Sequence, residues 1–304
     1  MSRVICVGHS ALDRIFTVDA WPAAGAKVAA KAFVEAGGGM AGNAAVAIAR
    51  LGGEAAFWGP VGEDSVADVM EAHFRRAGVD SGGMRRFRGF YSSTSAVLVD
   101  ARGERLVVSY RGSALAAPGD WLPLAQLCSC DALLADVRWP QGALPALRAA
   151  RAAAIPSVLD GDVAERATLR SLAGIAEYAV FSRAGLTCFA AAGDTEGGLR
   201  QALALGARFA AVTDGERGVC WIEAGQPGGL RELPAFAVHV VDTLAAGDVF
   251  HGAFALMLAE GGAPAAALRF ASAAAAIKCS RPGGRDGSPS RDDVERFLRE
   301  AGGP

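Results

Sequence analysis

Six short apolar runs, each followed by a stretch of helical pattern, restrict the folds open to this chain more than any other feature. They fall at 4–7, 55–58, 132–137, 157–159, 178–181 and 209–213, with few polar residues inside them. A strand wetted on one face alternates polar and apolar residues, whereas a strand covered on both faces reads as a continuous apolar run. Helical spacing of apolar residues occupies 41–51, 65–77, 143–153, 164–173, 196–205, 246–259, 264–280 and 291–301. Covered strands alternating with helices predict an α/β fold in three layers, α/β/α, around a mostly parallel central sheet.

Two regions depart from that rhythm. Residues 27–35 read as a short extended segment. Residues 92–100, the turn Ala101-Arg102-Gly103 and residues 104–110 read as a hairpin, because Thr94-Ser95-Ala96-Val97-Leu98-Val99 alternates. These strands, within 14–36 and 90–112, are expected to build a small sheet projecting from the main domain. A lid over the active site and an edge extension or dimer interface are both open to it, and they are compatible. With no internal repeat and no low-complexity linker, residues 1–304 read as a single domain.

Composition narrows the partners. A chain of 304 residues, 52% hydrophobic and 20% charged, suffices for one large α/β domain. Its net charge of −2, without a polybasic tract, argues against nucleic acid. No charge-free apolar run reaches the roughly 18 residues of a membrane span. Met1-Ser2-Arg3-Val4-Ile5-Cys6-Val7-Gly8 reads as a buried strand rather than a signal peptide. The six cysteines form no CxxC pair, and Cys128-Ser129-Cys130 reads as plain thiols. A cytoplasmic protein with reduced thiols is expected. The four histidines lack HExxH or HxH spacing, so no zinc site is expected.

The segment Val240-Val241-Asp242-Thr243-Leu244-Ala245-Ala246-Gly247-Asp248 runs into the apolar helix Val249-Phe250-His251-Gly252-Ala253-Phe254. Small residues between a β-branched run and a helix aim backbone N–H groups and the helix's positive end at one spot, where an anion can sit. Asp248 falls in the first helical turn beside that spot. Amides that hold a phosphoryl group, next to a carboxylate that takes a proton, suit phosphoryl transfer to a hydroxyl. Taken alone, the pattern fits an ordinary helix start with a favourably placed acid better than a catalytic site. There is no GxxxxGK[ST] loop and no HRD or DFG set, so a kinase of this sequence belongs to neither common class.

Two further segments carry candidate ligand groups. Ala36-Gly37-Gly38-Gly39-Met40-Ala41-Gly42-Asn43 leads into a helix; its glycines allow close backbone approach, and Asn43 can donate to and accept from a sugar hydroxyl. A turn with a helix cap reads the same way. Asp13 follows the first strand in Gly8-His9-Ser10-Ala11-Leu12-Asp13, at the sheet edge where such folds bind ligands. Two sugar hydroxyls would suit it; so would an exposed loop.

Taken in order, these segments resemble the ribokinase-like (PfkB) family of carbohydrate kinases. The resemblance rests on Gly38, Gly39, Asn43, Ala45 and Ala49 to Gly52, on Asp242 to Asp248, and on Thr213-Asp214-Gly215-Glu216-Arg217-Gly218 between them. It covers essentially the whole chain and implies a ribokinase-like fold with a small β-sheet lid. It also implies Asp248 as the base, with the amides of Ala245, Ala246 and Gly247 as an anion hole. Thr213, Gly215 and Gly218 would line the nucleotide site, with the helix over 271–279, including Ala275 and Cys279, against adenine. Asp13, Gly39 and Asn43 would hold the sugar. ATP with Mg²⁺ is the implied donor, and Asp242 with the 281–287 loop would help form a monovalent-cation site, for example for K⁺.

Three departures from the family pattern matter. Ala245 stands where the family has Gly, which costs roughly 1–2 kcal/mol if that residue must have positive φ. Ser182-Arg183-Ala184-Gly185 replaces the metal-associated Asn-x-x-Glu. Ser109, ahead of Tyr110-Arg111, departs from the sulfofructose kinase pattern, which is otherwise a narrower likeness. That likeness rests on Ala135-Asp136-Val137-Arg138-Trp139, Leu159-Asp160-Gly161-Asp162, Gly247-Asp248-Val249-Phe250-His251-Gly252 and Lys278-Cys279-Ser280-Arg281-Pro282-Gly283-Gly284-Arg285. It implies 6-deoxy-6-sulfofructose as substrate, with Lys27 and Arg138 on the sulfonate and Ser109 and Arg111 adding lid contacts. Alternatively, Lys27 is solvated and Arg138 pairs with Asp136 or Asp160. A kinase for fructose, tagatose 6-phosphate or another sugar, a nucleoside kinase, and a binding protein without turnover remain the competing functions. Exposed edges on the small sheet lead us to expect a homodimer through it.

Overall fold

The main sheet begins in its own interior and grows outward in both directions. In the computed structural model, which describes every residue except 22–24, 103, 191–193, 227 and 303–304 and the side chain of Arg105, the strands run in this order. They are β1 (Arg3–Val7), β2 (Ala11–Thr17), β3 (Ala32–Gly38), β4 (Glu54–Gly62), β5 (Asp80–Phe87), β6 (Ser93–Val99), β7 (Arg105–Tyr110), β8 (Ala132–Asp136), β9 (Ser157–Gly161), β10 (Tyr178–Ser182), β11 (Phe209–Thr213), β12 (Val219–Glu223) and β13 (Arg231–Leu233). The helices are α1 (Met40–Arg50), α2 (Ser65–Ala77), α3 (Pro140–Ala152), α4 (Arg166–Ala173), α5 (Arg183–Ala190), α6 (Thr195–Leu205), α7 (Ala246–Ala259), α8 (Pro264–Cys279) and α9 (Arg291–Glu300).

The main sheet has the order β13-β12-β11-β10-β9-β8-β1-β4-β5. Every neighbouring pair from β11 to β5 is parallel, and β12 and β13 close one edge antiparallel. Successive residues of one strand serve opposite cores. Val4, Cys6, Phe57, Leu134, Val158 and Val180 pack with α1, α7, α8 and α9. Their sequence neighbours Ile5, Val7, Trp58, Leu133, Leu159 and Phe181 pack with α3, α4, α5 and α6. Each such side chain contributes about 1.5–3 kcal/mol by leaving water, which is why these strands read as continuous apolar runs. The expected three-layer, ribokinase-like α/β architecture is present.

β2, β3, β6 and β7 form the second sheet, in the order β3-β2-β6-β7. In register, Asp13 lies beside Ala36 and Ser95, and Ser95 beside Ser109, so these four share one face. Asp13 is therefore a strand residue, not part of a loop after β1. The charges in Ala-Leu-Asp-Arg-Ile-Phe-Thr break the apolar run that marks the other strands. The expected extended segment at 27–35 is regular only from Ala32 onward, and Gly103 of the hairpin turn lies outside the described residues. Among the described residues no helix is long and apolar enough to cross a membrane.

The order of strands reverses beside β1: the chain leaves it toward β4 and returns on its other side with β8. Crevices at the carboxyl ends of strands at such a reversal are where open α/β sheets bind ligands. Asp136, Asp160 and the turn after β1 all lie there.

Candidate active site

The first turn of α7 opens on a left-handed residue. Ala245 has φ 65° and ψ 7°; among the described residues only glycines and Ala154 share its positive φ. The Ala245 substitution thus sits where positive φ is required, and the backbone bears the strain. Val249 N–H donates to the Ala245 carbonyl at 2.9 Å, and Ala246 N–H donates to Thr243 at 3.2 Å. The amides of Ala245 and Gly247 meet no acceptor among the described residues. They stand at the positive end of a helix of 14 residues, so an anion there gains both donors and dipole. Ala246, expected as a third donor, is already engaged.

Asp248 stands one residue further along α7. Its Oδ2 accepts a hydrogen bond from Asn43 Nδ2 at 2.7 Å. Burial pushes the carboxyl up to about 7, against the Asn43 hydrogen bond that favours its ionised form. Oδ1 is left for another partner, and at neutral pH the group is poised between acid and base.

Behind it lies a set of buried polar groups that sequence reading did not single out. Asp136, at the end of β8, accepts from the backbone amides of His9 (2.7 Å), Ala41 (3.0 Å) and Arg138 (2.8 Å). A Cβ on Gly8 would come within 2.3 Å of that carboxyl, so the chain needs glycine there. His251 Nδ1 meets the Gly247 carbonyl at 2.7 Å, and its Nε2 lies 3.3 Å from Val180 O and 3.5 Å from Asp160 Oδ1. Burial raises the Asp160 carboxyl well above its ordinary range and lowers the His251 imidazole. One signal was legible: Asp136 ends an apolar strand and Asp160 is the last residue but one of another, both at the carboxyl end.

A cavity of about 540 Å³ opens beside the start of α7. Thr213, Gly215, Gly218, Ala275 and Cys279 all line it, together with Ala246 and Gly247. The structure thus brings the five expected nucleotide residues to one wall system next to the α7 amides. Asp214 shapes the turn, pairing with Arg183 at 2.8 Å and with Arg217 at 2.8 Å. Gly218, at φ 89°, leaves no room for a side chain: a Cβ would lie 2.1 Å from the Leu233 carbonyl. Ala237, Val238 and Val240 face α8 across an apolar slot suited to a flat heterocycle.

On the other side, Asp13 Oδ1 accepts from Ser95 Oγ, and burial raises its carboxyl. Gly38 passes so close that a Cβ would lie 2.4 Å from Asp13 Oδ2. Gly39, at φ 86°, caps α1 and would clash with Ser10 at 2.5 Å if it carried a side chain. Arg285 packs under Gly37, its guanidinium 1.6 Å from where a Cβ would be, and its Nη1 is buried without a hydrogen-bond partner. Burial lowers its guanidinium to about 10, with Asp13 and Asp248 near enough to oppose the shift.

The four residues expected at a sulfonate separate into two groups. Arg138 donates to Asp162 Oδ2 and to Val163 O, each at 2.8 Å. The alternative ion pair with Asp136 or Asp160 is thus corrected to Asp162, the carboxylate that the β9 turn presents to it. Burial, then the charges of Arg138 and Arg111, lower the His9 imidazole to about 4. His9 Nε2 is buried and unpartnered in the turn after β1. Ser109 is exposed on β7, in the row of Asp13. Lys27 is exposed in a stretch without regular structure, and no contact brings it to that cluster.

No group of three His, Cys, Asp or Glu residues able to hold a metal ion occurs among the described residues. A Cβ on Gly185 would lie 1.8 Å from the Gly161 carbonyl, so the family's Glu has no room on this backbone. Asp162, half-exposed nearby, is bound by Arg138 and by Ser182 Oγ at 2.8 Å. These residues form no protein cage for Mg²⁺, an ion that keeps waters and leans on phosphates in any case. The implied monovalent-cation site differs too: the Lys278 ammonium takes the Asp242 carbonyl oxygen at 2.7 Å and Asp242 Oδ2 at 3.1 Å.

A strand reversal, a strained helix start, a carboxyl poised beside free amides and an adjacent apolar slot together define a phosphotransferase site. The sequence model of the pfkB family of carbohydrate kinases matches residues 1–291. The ribokinase of Bacillus subtilis (strain 168) is 30% identical over 98% of this chain and 100% of its own length. The crystal structure of a presumptive ribokinase from Agrobacterium tumefaciens superposes with TM-score 0.93 and 39% identity, covering 99% of this chain and 98% of that one. A fructokinase from Xylella fastidiosa, solved with bound ATP, gives 0.83 and 25%, covering 98% of each. The chain belongs to the pfkB family of carbohydrate kinases.

Proposed function

We propose that the protein transfers the γ-phosphoryl group of ATP to a hydroxyl of an anionic ketose, 6-deoxy-6-sulfofructose, giving its 1-phosphate. The observation that carries the kinase reading is Asp248, held by Asn43 at 2.7 Å beside the unpartnered amides of Ala245 and Gly247. ATP enters the cavity lined by Thr213, Gly215, Gly218, Ala275 and Cys279. Asp13, Gly39 and Asn43 hold the sugar. The hydroxyl oxygen attacks the γ-phosphorus, its proton passes to Asp248 Oδ1, and the bond to the β-phosphate oxygen breaks to release ADP. The α7 amides receive the charge of the moving phosphoryl group. Mg²⁺ bound with the nucleotide neutralises its phosphates.

His9, Arg111 and Arg138 support the sulfonate assignment, since His9 Nε2 is buried without a hydrogen-bond partner and the charges of both arginines act on its ring. Lys27 and Ser109 join it if the small sheet closes as a lid. A second reading, a kinase for fructose, tagatose 6-phosphate or another sugar, draws on Arg138 being tied to Asp162 and on the ribokinase and fructokinase relatives. A non-catalytic homologue is disfavoured by the intact Asp248. ADP release measured with sulfonated, phosphorylated and plain ketoses separates the readings. Sulfofructose is expected to give the highest kcat/KM, and Arg138→Ala to raise KM for it about tenfold more than for fructose. Preference for unsubstituted fructose overturns the assignment.

The small sheet also carries exposed apolar residues: Phe33, Val34, Leu106, Val107, Val108 and Tyr110 are all at least half-exposed. They support a homodimer through this sheet, the usual reason for such a patch, and the main sheet together with this lid acts as one catalytic unit over 1–304.

A further inference from the structure

We infer that Lys278 supplies, from within the chain, the positive charge that braces the anion-binding turn, so that this kinase needs no free monovalent cation. Lys278 has no exposed surface, although the other buried residues of its helix are all apolar. Its Nζ donates to the Asp242 carbonyl at 2.7 Å, pairs with Asp242 Oδ2 at 3.1 Å and reaches the Arg281 carbonyl at 3.4 Å. An ammonium has three protons, and these are three acceptors.

Both loops that meet at Lys278 are otherwise tied together by the same aspartate. Asp242 accepts from Leu244 N–H at 2.9 Å and from Gly284 N–H at 2.8 Å. The amides of Val241 and Asp242 donate to the Cys279 carbonyl at 2.8 and 3.0 Å. One cluster thus joins the end of α8, the 281–284 loop and the segment that enters α7 at Ala245. The oxygens, two carbonyls and one carboxylate, are the donor set a monovalent metal ion would use. They do not fit one here. The carboxylate is already paired with the ammonium, and a second unit charge would lie within contact distance of that ammonium and be repelled by it. Lys278 is a positioning residue: it touches neither substrate nor nucleotide, and it acts through Asp242 on the donors of Ala245 and Gly247.

This inference rests on the kinase reading only for its activity arm. Thermal unfolding and ADP release of the wild-type protein are measured in KCl, NaCl and tetramethylammonium chloride at one ionic strength. The melting temperature is expected to agree within about 1 °C, and kcat within about twofold, across the three salts. A K⁺-specific rise in melting temperature, or activation of more than about fivefold, overturns the inference. Lys278→Met keeps an unbranched side chain one atom shorter and removes its charge. It is expected to lower kcat about tenfold or more, and to acquire stabilisation and activation by K⁺ that the wild type lacks. Unfolding that is equally salt-blind in the variant, with kcat unchanged, overturns it as well. If no sugar is phosphorylated, the unfolding measurements still decide the cation question, so the two readings fail separately.

Discussion

Asn43 and Asp248 stand 205 residues apart in sequence and 2.7 Å apart in space, joined by one side-chain hydrogen bond. Asn43 rides on α1 and Asp248 on α7, so the bond couples the glycine-rich segment after β3 to the helix that presents the anion-binding amides. Of the two carboxyl oxygens, Asn43 occupies one. The other faces the work of taking a proton.

Asp248→Asn removes the base and leaves the shape. A general base contributes about 10²–10⁴ in rate, so kcat is expected to fall about 10³-fold. ATP affinity, measured by calorimetric titration, is expected to stay within about threefold, because the cavity walls are unaltered. A variant that loses ATP binding together with turnover contradicts the assigned role.

Burial holds Asp248 at about 7, and only the ionised form accepts a proton. Turnover is therefore expected to rise with pH up to about 7 and to level off above it. The Asn43 hydrogen bond favours the carboxylate, so Asn43→Ala raises the pKa and moves the acid limb to higher pH. A limb that stays in place, or that moves down, removes Asp248 from the titration. The check is the pH profile of kcat for both proteins.

Ala245→Gly relieves a left-handed alanine. The strain at φ 65° is roughly 1–2 kcal/mol, and glycine returns about 0.5–1 kcal/mol of that through the freer unfolded chain. A net gain of about 0.5–1 kcal/mol is expected in denaturant unfolding, with activity preserved, because the backbone N–H is unchanged. Lower stability would mean that the turn does not hold the conformation described.

Gly185→Glu would restore the family's acidic residue, yet it is expected to destabilise the protein by about 3 kcal/mol. The new Cβ meets the Gly161 carbonyl at 1.8 Å, at the end of a central strand that cannot give way. A variant with wild-type melting temperature and tighter Mg²⁺-nucleotide binding would show that α5 can step back from β9.

The covered strands β1, β4, β8, β9, β10 and β11 were legible because burial on both faces leaves an unbroken apolar run. β2, β5, β12 and β13 were not. Asp80-Ser81-Gly82-Gly83-Met84-Arg85-Arg86-Phe87 carries charges and glycines that an edge strand tolerates, and β13 is three residues long. α5 was hidden by Gly185, which lowers helix propensity and is there to clear the Gly161 carbonyl. At the site, Asp248 and its glycine-rich partner could be read because each occupies a punctuated loop. The partners of Asp136, Asp160, His251 and Lys278 could not, since each meets groups far away in sequence and sits in or at the end of an apolar element. For Lys278 the available hint was a lone cation inside Ala273-Ala274-Ala275-Ala276-Ile277-Lys278-Cys279, on a face that ought to be dry.

A single residue, Gly39, separates the end of β3 from the start of α1. Ser10 crowds it so closely that no side chain fits, and Asp136 pins Ala41 two positions later. A tilt of the small sheet consequently finds no slack loop in which to be lost. It would be handed straight to the helix that carries Asn43, so under the proposed kinase reading sugar capture and the placing of Asp248 are expected to move together.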